Sequence, residues 1–152
     1  MLDFKFNIFK LSRTLNYFQM CAYEPVHKKT GLNKKELQIL FSMAQFPEKK
    51  VTIGGIFEQT GFNKGQISVC VANLVKEGYL DEKVDKSSRF SSYSISKKGQ
   101  KIVDILEKNT AYGRKKLMKG FTKKDIETFR TYFDRILENA EKMKGKIKFE
   151  DE

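Results

Sequence analysis

Proline occurs only at Pro25 and Pro47 in 152 residues, so long helices are permitted almost everywhere. Tryptophan is absent, and Cys21 and Cys70 are too few for a disulfide framework or a zinc ligand set. His27, the sole histidine, cannot build a metal site with so few partners. No apolar run approaches the roughly eighteen residues of a membrane span. Asp3, Lys5, Asn7 and Lys10 interrupt the N-terminal aromatics, unlike the continuous apolar stretch of a signal peptide. There is no Gly-rich phosphate loop, no nucleophile elbow and no metal-ligand spacing, and the carboxylates are dispersed among lysines, which argues against an enzyme. These absences lead us to expect a reduced, cytoplasmic, globular protein with no cofactor, no metal and no membrane partner.

What is present is positive charge and enough apolar material for a core. Hydrophobic residues make up 39% and aromatics 12%, which sets the chain apart from disordered sequences. Lysine and arginine exceed aspartate and glutamate by 11, pointing to an anionic partner, most often nucleic acid. The excess is concentrated: residues 97–124 carry a net +8, against +3 for 1–31, +2 for 32–96 and −2 for 125–152.

Helix starts follow one repeated pattern. Leu32-Asn33-Lys34-Lys35-Glu36-Leu37 offers Asn33 as N-cap, Glu36 as the capping-box partner and a Leu32/Leu37 staple. Phe62-Asn63-Lys64-Gly65-Gln66-Ile67 repeats this with Asn63 and Gln66, and Phe121-Thr122-Lys123-Lys124-Asp125-Ile126 with Thr122 and Asp125. Thr52 can cap a shorter helix with a Val51/Ile56 staple, weakened by Gly54-Gly55. Helical spacing links Ile8, Leu11, Leu15, Phe18 and Ala22, then Leu37, Leu40, Phe41 and Ala44 before Pro47. A short helix over 53–60 ends at Thr60-Gly61, and one over 64–77 carries Ile67, Val71 and Leu74 and ends at Gly78. Two stretches with partial alternation, 79–84 and 91–95, flank the polar run 85–90 and read as a hairpin. Ser96 caps a fifth helix holding Ile102, Ile105, Leu106 and Leu117. A sixth holds Ile126, Phe129, Phe133, Ile136, Leu137, Ala140 and Met143.

The short helix 53–60, the turn Gly61-Phe62-Asn63 and the helix 64–77 form a helix-turn-helix, and the hairpin that follows makes it the winged form. On helix 64–77 the face opposite Ile67, Val71 and Leu74 carries Gly65, Val69, Ala72 and Lys76, flanked by Gln66, Ser68 and Asn73. Small residues let a backbone approach a duplex closely, and Val69 or Ala72 can touch thymine methyls. Gln66 and Asn73 can pair with adenine, and Lys64 can reach phosphate or guanine. Lys97, Lys98 and Lys101, just after the hairpin, are placed to hold phosphates.

These motifs resemble the MarR/SlyA family of bacterial winged-helix regulators. Leu32-Asn33-Lys34-Lys35-Glu36 is similar to the start of that family's second helix, and Gly61-Phe62-Asn63-Lys64-Gly65-Gln66-Ile67-Ser68 to its turn and recognition-helix start. Leu74-Val75-Lys76-Glu77-Gly78-Tyr79-Leu80 and Ile95-Ser96-Lys97-Lys98-Gly99 resemble its passages into and out of the wing. The resemblance implies a mainly α fold with a small β-hairpin wing, a winged helix-turn-helix over 32–99, and a helical dimerisation region from 1–31 and 100–146 within one domain of 152 residues. It implies a homodimer that binds a pseudo-palindromic operator in double-stranded DNA, most often a repressor released by a small-molecule effector. Helix 64–77 would enter the major groove and the wing 85–90 would lie near the minor groove. Asn63, Lys64, Gly65, Gln66, Ser68, Val69, Asn73, Lys86, Ser88, Arg89, Lys97 and Lys98 are the expected DNA contacts. The wing departs from the family's Asp-Arg-Arg: Arg89 falls on the last arginine, but Ser87 stands where the bracing carboxylate is expected, with Asp85 two residues away. The hydroperoxide-sensing branch has its reactive cysteine much farther upstream of the second helix than Cys21 lies from Leu32, which weighs against a redox role. The competing class is a winged-helix module that binds protein without reading DNA.

Overall fold

Side-chain caps set the helix boundaries. In the computed structural model the described residues are 7–46, 50–87 and 90–143. Among them the order is α1 (Ile8–Thr30), α2 (Lys34–Met43), α3 (Ile53–Thr60), α4 (Lys64–Lys76), β1 (Leu80–Val84), β2 (Ser91–Ile95), α5 (Lys97–Leu117) and α6 (Lys123–Met143). Asn33 and Glu36 close the expected reciprocal box at α2. Thr122 and Asp125 do the same at α6, with Thr122 N donating to Asp125 Oδ2 at 2.7 Å and Asp125 N to Thr122 Oγ1 at 3.2 Å. Thr52 caps α3 alone, through Gly55 N.

The chain divides into two compact units, Met1–Gly113 and Arg114–Glu152. In the first, α2 is the hub: it touches α1, α3, α4 and β2 and buries Leu37, Ile39, Leu40 and Met43. Around it lie Tyr23 and Val26 of α1, Ile56 of α3, Ile67, Cys70, Val71 and Leu74 of α4, and Ile102, Val103 and Leu106 of α5. At about 25 cal/mol per Å² of apolar surface removed from water, this cluster is the main stabilising term of the unit.

Three features go beyond the sequence reading. α1 continues through Pro25, forgoing one internal hydrogen bond, and ends at left-handed Gly31, whose N–H reaches the His27 carbonyl. Only its C-terminal half enters the core; Leu11, Leu15 and Phe18 stay partly exposed. On α5 the buried ridge runs through Gly99, Ile102, Val103 and Leu106, and Ile105 turns outward. Val51 also exchanges two backbone hydrogen bonds of 2.8 Å with Tyr93, a one-residue third strand beside the hairpin.

In the second unit, α6 buries no residue. Among the described residues no helix is long and apolar enough to cross a membrane, and no group of His, Cys, Asp and Glu is placed to hold a metal. His27 Nδ1 lies 2.7 Å from the Leu32 carbonyl oxygen, a local turn contact in which the ring must donate.

Candidate nucleic-acid interface

The turn between α3 and α4 is tight because Gly61 adopts φ 67° and returns its N–H to the Phe57 carbonyl at 2.7 Å. Asn63 then caps α4, accepting from Gly65 N at 2.8 Å. The expected capping box with Gln66 does not form, because Gln66 Oε1 instead accepts from Lys35 Nζ of α2 at 2.9 Å. α4 turns Ile67, Cys70, Val71 and Leu74 inward and leaves Lys64, Gly65, Gln66, Ser68, Val69, Ala72 and Lys76 on its open side. Val69 is 72% exposed, unusual for valine in a well-packed unit. Lys64 Nζ stands 5.1 Å from the Phe57 ring centroid. Burial, reinforced by the Glu36 carboxylate, raises the pKa of the Cys70 thiol, so this cysteine is a packing residue.

Glu36 is 4% exposed and joins two helices. One oxygen accepts from Asn33 N and the other from Asn73 Nδ2, both at 2.7 Å. After α4, β1 and β2 pair antiparallel from Leu80↔Ile95 to Val84↔Ser91. At the hairpin tip Asp85 Oδ1 accepts from Ser87 N and Ser87 Oγ at 2.9 and 2.6 Å.

The fold that carries these residues is similar to that of solved regulator structures. The MarR protein from Peptoclostridium difficile superposes with a TM-score of 0.77 at 17% identity, over 97% of this chain and 96% of that one. A putative MarR-family transcriptional regulator from Listeria monocytogenes, complexed with a 26mer DNA, gives 0.76 at 17% identity over 89% of each chain. The S. aureus MepR–DNA complex gives 0.70 at 13% identity, over 92% of this chain and 99% of that one. The chain has the MarR-family fold. No family sequence model matches it, and no curated protein matches it by sequence. At such identity the likeness lies in the path of the backbone.

Within the MarR fold, the expected contact residues divide into groups. Asn63, Lys64, Gly65, Gln66, Ser68 and Val69 gather at the exposed N-terminal half of α4. Asn73 is half-buried and donates to Glu36, so the helix contact and not the open face takes its amide. Lys86 is exposed at the wing tip; Ser88 and Arg89 lie outside the described residues. Lys97 is exposed, whereas Lys98 donates to the Glu77 carbonyl at 2.6 Å and lies 4.1 Å over the Tyr79 ring, serving as a C-terminal cap for α4. The basic stretch 97–124 is itself divided: Lys97, Lys98, Lys101 and Lys108 belong to the first unit, and its six other cations to the second. Sequence reasoning overlooked Lys35 as a partner of α4, and saw only the local half of Glu36. The signal for the second half was a capping carboxylate with one oxygen left over.

Proposed function

We propose that this protein is a transcription regulator that reads double-stranded DNA as a homodimer. α4 lies in the major groove of each half of a pseudo-palindromic operator, and the wing, residues 85–90, runs beside the minor groove. The observation that carries this reading is the open side of α4: a helix whose inner face is fully committed to a core presents a bare glycine, a valine, a serine, an amide and two lysines outward. Hydrophobic burial does not explain that combination, and major-groove recognition uses it. The DNA complexes of the L. monocytogenes and S. aureus proteins, which share the fold, support it. The protein's action is repression, relieved by a small effector. A cleft of about 480 Å³ lined by Met43, Phe46, Val51 and Ile95, with Lys50 and Gln100 on it, suits a small amphipathic ligand.

The test is a binding titration on the duplex upstream of the protein's own gene, followed by fluorescence anisotropy as salt rises. Several phosphate contacts require affinity to fall steeply, by about 10³-fold or more between roughly 50 and 200 mM salt for six or more contacts. Binding that is insensitive to salt, or absent at low salt, favours the protein-interaction module instead.

A further inference from the structure

The contact between Lys35 and Gln66 carries a consequence for base choice, and it rests on the DNA-reading role proposed above. An ammonium has three donors and no acceptor. A glutamine amide meeting Lys35 Nζ at 2.9 Å must therefore turn its oxygen to the lysine, which leaves its NH₂ group facing elsewhere. Lys35 is held from both ends. Its backbone lies in the first turn of α2, fixed by the Asn33–Glu36 box, and its ammonium lies 5.9 Å from the centroid of the Phe62 ring. Gln66 is the third residue of α4, exposed, and follows a glycine that leaves the approach open.

A freely rotating glutamine recognises adenine by offering an acceptor to N6 and a donor to N7 at once. With Lys35 on one of the two lone pairs of that oxygen, an adenine N6 donor would have to share it beside an ammonium charge that opposes donors and attracts acceptors. The pair therefore presents donors in excess, the amide N–H groups of Gln66 and the remaining N–H groups of Lys35, against one remaining acceptor lone pair. In the major groove the base edge with two adjacent acceptors is guanine, through O6 and N7. We infer that Lys35 is a specificity-determining positioning residue: by fixing the Gln66 amide it makes this pair a guanine reader, where the recognition helix alone would favour adenine. Exclusion of water from the groove strengthens the Lys35–Gln66 hydrogen bond just when the choice is made.

The experiment selects binding sites for the full-length protein from randomised duplexes, with wild type, Lys35→Met, Lys35→Arg and Gln66→Ala in parallel. Wild type is expected to show a guanine in each half-site whose preference disappears in Gln66→Ala. Lys35→Met frees the amide, and the guanine-to-adenine ratio at that position should fall on the order of tenfold. Lys35→Arg, which also offers only donors, should retain guanine. Adenine preferred by wild type at the Gln66-dependent position, no position that responds to Gln66→Ala, or an unchanged guanine preference in Lys35→Met each overturns the inference while leaving DNA reading intact. No enriched sequence with wild type overturns the DNA-reading role and the inference with it. Because Lys35 and Gln66 are both exposed, these variants keep the core unchanged.

Discussion

Gly99 faces the backbone that leaves α4, and a Cβ placed there would overlap the Tyr79 carbonyl oxygen and press on Ile95. Beside it the Ser96 hydroxyl accepts from Gly99 N at 3.0 Å and donates to the Gly78 carbonyl at 2.7 Å, pinning the start of α5 to the end of α4. Gly99→Ala has no flexible neighbour to displace and should lose about 3 kcal/mol in urea unfolding. Ser96→Ala, which removes a cap and leaves the Gly78 carbonyl short of a donor, should lose about 1–2 kcal/mol. An unchanged midpoint for Gly99→Ala would mean that the α4–α5 approach is looser than described. Glu36 offers a sharper test of polarity, because both its oxygens accept. Glu36→Leu removes both acceptors, stranding Asn33 N and Asn73 Nδ2, and should cost about 1–3 kcal/mol. Adding Asn73→Leu removes one stranded donor, so the double variant should lose less than the sum of the two single variants. A double-mutant cycle with no coupling would remove Glu36 as the joint between α2 and α4.

Helix starts were legible in the sequence because a cap and its partner lie within three residues of each other. Asn33, Thr52, Asn63, Ser96 and Thr122 all cap as expected. The helix-turn-helix and hairpin followed from the same local chemistry, and they made the open side of α4 legible too. What escaped depends on distant partners. Gln66 left its box for a lysine 31 residues away, and Asn73 pairs with a carboxylate 37 residues away. Val51 pairs with Tyr93 over a single residue, too short to leave an alternating pattern. The α6 cap adds a pH dependence of its own. The hydroxyl of Thr122, and then its backbone N–H, hold the pKa of the Asp125 carboxyl below the ordinary aspartate value. A depressed folded pKa stabilises at pH above the ordinary value, and that contribution is lost as pH falls through the depressed one. α6 should therefore fray from its N-terminal end on acidification below the ordinary aspartate range. In Thr122→Ala the Asp125 carboxyl should titrate closer to the ordinary value, as read by carboxyl carbon NMR. Identical titration in both proteins would show that the box does not hold this carboxylate.

The first half of α1, in the first unit, and α6, in the second, each carry apolar surface that their own unit leaves exposed. On α1, Phe9 is 85% and Tyr17 69% exposed. On α6, Phe129, Phe133, Ile136 and Leu137 are all roughly half exposed or more, and the Phe129 and Phe133 rings stack with centroids 6.1 Å apart. A 21-residue helix with no buried residue draws little stability from its own unit, since most helical stability in proteins comes from packing an apolar face. The proposed homodimer supplies the missing cover and also explains why a palindrome would be read. Once one head is bound, the second binds as an intramolecular event, so affinity for the two-site duplex exceeds that for one half-site by about 10²–10⁴. Breaking the dimer should therefore cost the whole-site advantage and leave the heads intact. We expect wild type to sediment at twice 17.7 kDa at micromolar concentration, and Phe133→Glu with Ile136→Glu at 17.7 kDa. Affinity of the double variant for a full palindrome should fall about 10²-fold or more. Its affinity for a single half-site should match wild type, because every α4 contact is unchanged. A variant that remains dimeric would move the interface away from α6, and a wild type that is monomeric would remove two-site reading from the proposed function.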